Sequence, residues 1–153
     1  MTIEILAEAP DSPDAIALIE ELEAHLAPQY PTESRHGFSV EKLVREGVLF
    51  FVVRLDGASA GCGGVLLVDG EDGYAEVKRM YVRPAYRGQG LARAMLDHLE
   101  GVARAHDYRV IRLETGIHQE AAIALYEGAG YRRIPPFGPY WDDPLSRTYE
   151  KRL

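Results

Sequence analysis

The chain has 153 residues, 46% hydrophobic and 27% charged, with 17 Lys and Arg against 24 Asp and Glu for a net charge of −7. At about 150 residues per domain this is one domain over 1–153, able to bury a core without disulfide or metal staples, and its acidic balance argues against a general nucleic-acid or anionic-membrane binder. One cysteine, Cys62, excludes a disulfide framework, and without an apolar run near the ~20 residues of a membrane span or a basic leader, the expectation is a cytoplasmic protein.

Residues 2–8 alternate as a first strand, with Ile3 and Ile5 on one side. Asp11-Ser12-Pro13 is a helix start, a capping side chain followed by a proline whose missing N–H costs nothing there. Ile16, Ile19, Leu22 and Leu26 follow at helical spacing until Pro28 and Pro31 stop the helix. Residues 28–38 read as a loop, and Ser39 opens a short second helix closed by Gly47. Residues 48–53 are rich in β-formers. Asp56-Gly57 is a hairpin signal, 61–68 the return strand, 69–73 a turn and 74–82 a further strand, which makes three consecutive antiparallel strands. The period then changes. Leu91, Ala94, Met95, Leu99, Val102 and Ala103 predict a helix over about 89–106. A strand over 110–114, a helix over 120–129, a short strand over 130–134, a Pro/Gly/aromatic loop over 135–144 and a last strand over 145–153 complete the chain. The class is α+β: a mixed sheet of roughly six to seven strands, antiparallel in its N-terminal half, with a central βαβ crossover and about four helices.

The segment Met80-Tyr81-Val82-Arg83-Pro84-Ala85-Tyr86-Arg87-Gly88-Gln89-Gly90-Leu91-Ala92 carries the chemistry. A strand ends at Val82, Pro84 blocks its continuation, and two glycines precede a helix. Backbone N–H groups at that helix start, with the dipole behind them, make a cradle for a phosphate or pyrophosphate. Arg83, Arg87 and Arg93 add positive charge nearby. A Gly-rich turn with no ligand would share the pattern.

Arg87-x-x-Gly90-x-Ala92 resembles the acetyl-CoA signature of the GNAT N-acetyltransferase superfamily. Two further segments extend the likeness. Residues 74–82 look like the superfamily's central splayed strand, and Ala122-x-x-Leu125-Tyr126-x-x-x-Gly130-Tyr131 looks like its later helix-to-strand motif. The resemblance implies a GNAT-like fold and transfer of acetyl from acetyl-CoA to a primary amine of a small molecule. Direct attack in a ternary complex is implied because no convincing covalent nucleophile is present. A protein or peptide amine is the alternative acceptor, and a homodimer is common in the superfamily. It implies that the backbone of Met80 and Val82, on either side of Tyr81, holds the pantetheine arm. It gives the N–H groups of Arg87, Gly88, Gln89, Gly90, Leu91 and Ala92 to the pyrophosphate. Tyr126 would protonate the leaving thiolate, and a phenol's pKa near ~10 keeps that proton in place. Glu76 stands where some members carry a general base, and strand alternation puts it on one face with Lys78 and Met80. The other reading of Glu76 is a sheet-surface charge paired with Lys78 or Arg79. Gln119 stands where the superfamily often has Asn, which puts the usual contact to the pantetheine region in question.

Two segments have no cofactor duties and border the acceptor side in a GNAT-like fold. The first is Pro28 to Phe38, with Tyr30. The second is Pro135 to Pro144, where Phe137, Tyr140 and Trp141 offer an apolar or cation–π wall and Asp142 and Asp143 could attract an amine. That pattern favours a small cationic or zwitterionic amine over a peptide; the alternative is that the aromatics pack under the loop. Cys62 reads as a packed small hydrophobe, and His25, His36, His98, His106 and His118 show no metal spacing, so no metal is expected. A dinucleotide fold would use Gly88-Gln89-Gly90 and Glu114, but Arg93 occupies its third glycine position. A catalytically silent CoA-binding sensor would not need Tyr126.

Overall fold

The computed structural model describes residues 1–153. Its strands are β1 (Ile3–Ala7), β2 (Leu49–Leu55), β3 (Ala58–Val68), β4 (Tyr74–Val82), β5 (Val110–Gly116), β6 (Arg132–Ile134) and β7 (Ser146–Arg152), and its helices α1 (Pro13–Leu26), α2 (Val40–Arg45), α3 (Leu91–Ala105) and α4 (Glu120–Gly128). One sheet runs β1-β2-β3-β4-β5-β7-β6. Only the β4–β5 pair is parallel, joined through α3. This is the α+β architecture the sequence predicts. No helix is long and apolar enough to cross a membrane.

Both faces of the sheet are covered, which is why β2 is apolar apart from Arg54. Phe51, Val53 and Leu55 face α3, packing with Leu91, Met95, Leu96 and Leu99. Phe50 and Val52 face the other way, onto Ala15, Leu18 and Leu22 of α1 and Leu43 of α2. Each fully buried Leu contributes about 1.5–3 kcal/mol relative to exposure. Ser12 caps α1 by accepting from the Ala15 N–H at 3.1 Å, and Ser39 caps α2 through the Lys42 N–H at 3.2 Å.

Two of the boundary differences from the sequence expectation have a plain backbone cause. β3 begins at Ala58 rather than Gly61, because Asp56 (φ 49°) and Gly57 (φ 86°) form a two-residue turn with both φ positive and Leu55 pairs directly with Ala58. Helix α3 begins at Leu91, because Gly90 at φ 80° is left-handed and outside the helix.

The third difference positions the site. Arg79 adopts φ 55°, and the register against β3 slips between Cys62 and Gly64. This bulge breaks the alternation on which the shared face of Glu76, Lys78 and Met80 rested. Met80 and Val82 pack with the α3-side core, whereas Tyr81 joins the α1-side core. Lys78 stays on the α1 side, 4.1 Å from the Phe38 ring centre. β4 then leaves β5: only Ala75 and Glu76 pair with it, opposite Ile111 and Arg112. Beyond Glu76 the sheet is split, and the split is where the cavities lie.

Candidate active site

The first cavity is an open cleft of about 510 Å³ along the split edge of β4. Met80, Tyr81, Val82, Arg87, Ala92 and Gln119 line it, joined by Leu125 and Tyr126 from α4. The turn feeding α3 sits at its mouth. Gly88 and Gly90 have φ of 78° and 80°, and a Cβ at either would meet nothing within 4 Å. Glycine is needed there for its backbone conformation, and the space before the turn is open. The first N–H groups of α3 have no intrahelical partner. The Arg87 guanidinium folds back to the Val82 carbonyl at 3.1 Å. The unpaired backbone edge of β4 and this open turn fit an extended arm ending in a pyrophosphate.

The second cavity, about 140 Å³, is walled by side chains. Tyr30 and the segment Ser34 to Gly37 come from the loop after α1, Val77 to Met80 from β4, Leu113 to Gly116 from β5, and Tyr126 and Tyr140 from later in the chain. Two glycines make room. A Cβ at Gly116 would overlap the Tyr30 ring, and one at Gly37 would overlap the Arg79 guanidinium. The Tyr30 hydroxyl accepts the His118 N–H at 3.0 Å and the Gln119 amide at 3.2 Å, locking the loop onto the start of α4.

Leu22, Met80, Gln119, Ala122 and Tyr126 belong to both walls, so the two spaces meet at Tyr126. Burial, reinforced by the negative charge of Glu114, pushes the Tyr126 phenol above its ordinary pKa. It therefore keeps its proton throughout the neutral range. Glu114 lines the second cavity, and burial pushes its carboxyl upward as well, although the hydrogen bond from Ser146 and the charges of His36 and Lys78 pull the other way.

The sequence-predicted residues divide between the two spaces and the packing around them. Met80, Tyr81, Val82, Arg87, Ala92 and Gln119 line the cleft, with Gly88, Gln89 and Gly90 in the adjoining turn and Leu91 buried as the first residue of α3. The Gln119 amide donates to Gln29 at 3.0 Å and to Tyr30 at 3.2 Å. Tyr30, Tyr126 and Tyr140 line the second cavity. Glu76 does not. It is buried beside Lys78 at 2.9 Å and accepts the Tyr140 hydroxyl, a charge pair under the sheet surface rather than upon it. Phe137 lies outside the cavity, stacked edge-on against Tyr74 and Tyr140. Trp141 is 64% exposed and touches neither space. Asp143 is held below its usual pKa because, against the upward pull of burial, His36, the Leu145 N–H and Ser34 all bond to it. It closes the loop and lines neither cavity.

Glu114 is the site residue that sequence reasoning missed, having weighed it only as a ribose-binding acid. A signal was present. Glu76 and Arg112 sit opposite each other, and Glu76, Lys78, Arg112 and Glu114 put charge on one face of two central strands. Charge in the middle of a sheet covered by a helix needs pairing or a function. No group of three His, Cys, Asp or Glu side chains is placed to hold a metal ion.

Comparison with known proteins agrees with this geometry. Residues 15–131 match the Acetyltransferase (GNAT) family. An IAA acetyltransferase of Azospirillum brasilense is 42% identical over 151 residues, covering 99% of this chain and 98% of the relative. A crystal structure from Klebsiella pneumoniae, assigned as an acyl-CoA N-acyltransferase, superposes with a TM-score of 0.81 at 39% identity, covering 99% and 98% of the two chains. The fold is also shared with the PaiA N-acetyltransferase of Thermoplasma acidophilum in complex with coenzyme A, with a TM-score of 0.78 at 21% identity over 100% of both chains. The chain belongs to the GNAT family of acetyltransferases.

Proposed function

We propose that the protein moves an acetyl group from acetyl-CoA to the primary amine of a small molecule by direct attack in a ternary complex. The observation that carries this is the meeting of two unlike cavities at Tyr126. The backbone-lined cleft takes the cofactor, with the N–H groups of Gly88 to Ala92 on its pyrophosphate and the free edge of Met80 and Val82 along the pantetheine arm. The side-chain cavity takes the amine. A volume of about 140 Å³ suits a small molecule better than a peptide segment.

The acceptor enters as an ammonium, and Glu114 receives its proton. Its raised pKa brings its basicity closer to neutral, where a base is most effective. The freed nitrogen bonds to the thioester carbonyl carbon while the carbon–sulfur bond breaks, and the second proton that the nitrogen sheds on becoming an amide passes to the departing sulfur, so that coenzyme A leaves as the thiol. The Tyr126 hydroxyl donates a hydrogen bond to the departing thiolate. Full transfer from a phenol above ~10 to a thiolate near ~8.5 would be uphill, so stabilising the developing charge is its main contribution. Cys62 takes no part: its thiol is buried, donates to the Arg79 carbonyl at 3.3 Å and is pushed up to about 12. That supports a single displacement over a covalent enzyme intermediate.

The experiment is acetyl-CoA-dependent thiol release over a panel of small amines and amino-terminal peptides. The expected double-reciprocal plots intersect, and small amines outperform peptides. Parallel lines with an acetylated enzyme, or preference for peptides, would overturn the reading. With an acceptor in hand, the rate should fall as pH drops through the raised Glu114 pKa, because the base is then protonated. Glu114→Gln should lose about 100-fold in kcat and with it that acid limb; an unchanged limb would remove Glu114 as the base.

A further inference from the structure

The charged side chains on the wall of the acceptor cavity are mostly cationic: Arg35, Lys78 and Arg79 stand against the single carboxylate of Glu114, with the imidazole of His36 beside them. The acids that hold these groups lie outside the wall. Glu23 bonds Arg79 Nη2 and stands 3.6 Å from Arg35, Glu76 pairs with Lys78, and Asp143 bonds His36 at 2.6 Å. They fix the side chains without using all their donors. The Nε groups of both Arg35 and Arg79 are buried with no partner. Arg79 is 3% exposed along its side chain, and its guanidinium passes Gly37 where any Cβ would block it. An unmet buried donor costs about 1–3 kcal/mol. Both arginines belong to the cavity wall, and their unused hydrogen-bonding capacity makes that wall one that attracts an anionic ligand.

We propose that the acceptor amine also carries a carboxylate, so that the substrate class is small amino acids. The carboxylate meets the guanidinium edges of Arg35 and Arg79, a planar pairing that lysine alone could not offer. The ammonium lies at the other pole, near Glu114 and Tyr126. An amine without a carboxylate offers these guanidinium groups no anion and brings a further positive charge against them. This assignment rests on the acetyl-transfer reading above and narrows it.

The test pairs each amino acid with analogues lacking the α-carboxylate: leucine with leucinamide and isopentylamine, phenylalanine with phenethylamine, tryptophan with tryptamine. Thiol release from acetyl-CoA is followed in the wild type, Arg35→Gln and Arg35→Lys, with acetyl-CoA binding measured separately by calorimetry. At least one amino acid should exceed its α-decarboxylated partner by about tenfold or more in kcat/KM. Arg35, on a partly exposed loop, can be changed without emptying the core. Arg35→Gln should raise the KM of that amino acid and bring the ratio toward one, leaving the KM for acetyl-CoA unchanged. Arg35→Lys should recover part of the preference. Decarboxylated amines used as well as or better than the acids, a ratio untouched by Arg35→Gln, or acetyl-CoA binding with turnover of no amino acid would each overturn the proposal while leaving acetyl transfer standing. Failure to bind acetyl-CoA at all would instead remove the reading beneath it.

Discussion

Along the cleft beside α3 the unpaired groups are backbone N–H and carbonyl groups, supplied by the free edge of β4 and by one turn. In the neighbouring cavity the lining groups are side chains drawn from six separate segments, held by bonds such as His36 to Asp143 across 107 positions of sequence. The cleft is open and its glycines meet nothing; the cavity is tight, with glycines at 37 and 116 pressed against Arg79 and Tyr30. A backbone-built site is indifferent to most side-chain changes and suits one invariant ligand. A side-chain-built site can be recast by a few substitutions and suits the partner that varies.

The largest expected effect lies where the two regions meet. Tyr126→Phe removes one oxygen from the wall common to both spaces. Turnover should fall about 100- to 1,000-fold, while the acetyl-CoA dissociation constant measured by calorimetry moves less than about threefold. Weakened cofactor binding with normal turnover would place Tyr126 in the cleft alone and break the division.

Gly90→Val attacks the cleft alone. A β-branched residue at φ 80° costs about 1–3 kcal/mol and fills the open space before the turn. Acetyl-CoA binding should weaken by roughly 10- to 100-fold, with the acceptor KM unchanged at saturating cofactor and the circular dichroism spectrum retained. Equal loss for both substrates would mean that the turn shapes the cavity as well.

These unlike constructions also explain what was legible in the sequence. The cleft is local: strand, proline, two glycines and an amphipathic helix fall within Met80 to Arg93, and each carries its own conformational signal. The antiparallel run from β2 to β4 followed for the same reason, because Asp56-Gly57 and the 69–73 turn declare antiparallel neighbours without help from tertiary contacts. The bulge at Arg79 did not declare itself. A positive φ at an arginine arises from the register of β3 against β4, where Gly61 and Gly63 leave no room for a Cβ near Tyr81 and Met80. Shifting the pattern by one residue there moved Met80 to the other face. The roles of Glu76 and Glu114 were equally hidden, since which carboxylate is tied off and which faces the cavity is decided by Lys78 and Tyr140 in one case and Ser146 in the other.

Tyr140 and Trp141 sharpen the comparison at its finest scale, because they are chain neighbours that the sequence treats alike. The Tyr140 hydroxyl accepts from Lys78 at 2.7 Å and donates to Glu76, and its ring stands edge-on to Phe137 and His36 at 5.2 Å each. Burial first, and Glu76 second, drive its pKa far above the ordinary value, so the hydroxyl is a fixed donor to a buried charge pair. Tyr140→Phe leaves Lys78 and Glu76 short of a partner with no water admitted by design. The cost should be about 1–3 kcal/mol, a fall of roughly 3–9 °C in Tm at this chain length. The acceptor KM should rise with it, because Lys78 is part of the cavity wall. Trp141, 64% exposed, makes no such contacts. Trp141→Ala should change stability by no more than about 0.5 kcal/mol and leave both KM values within twofold. A large rise in acceptor KM for Trp141→Ala, at unchanged Tm, would mean that the loop folds over the bound amine and that the acceptor wall extends beyond the residues that line it here.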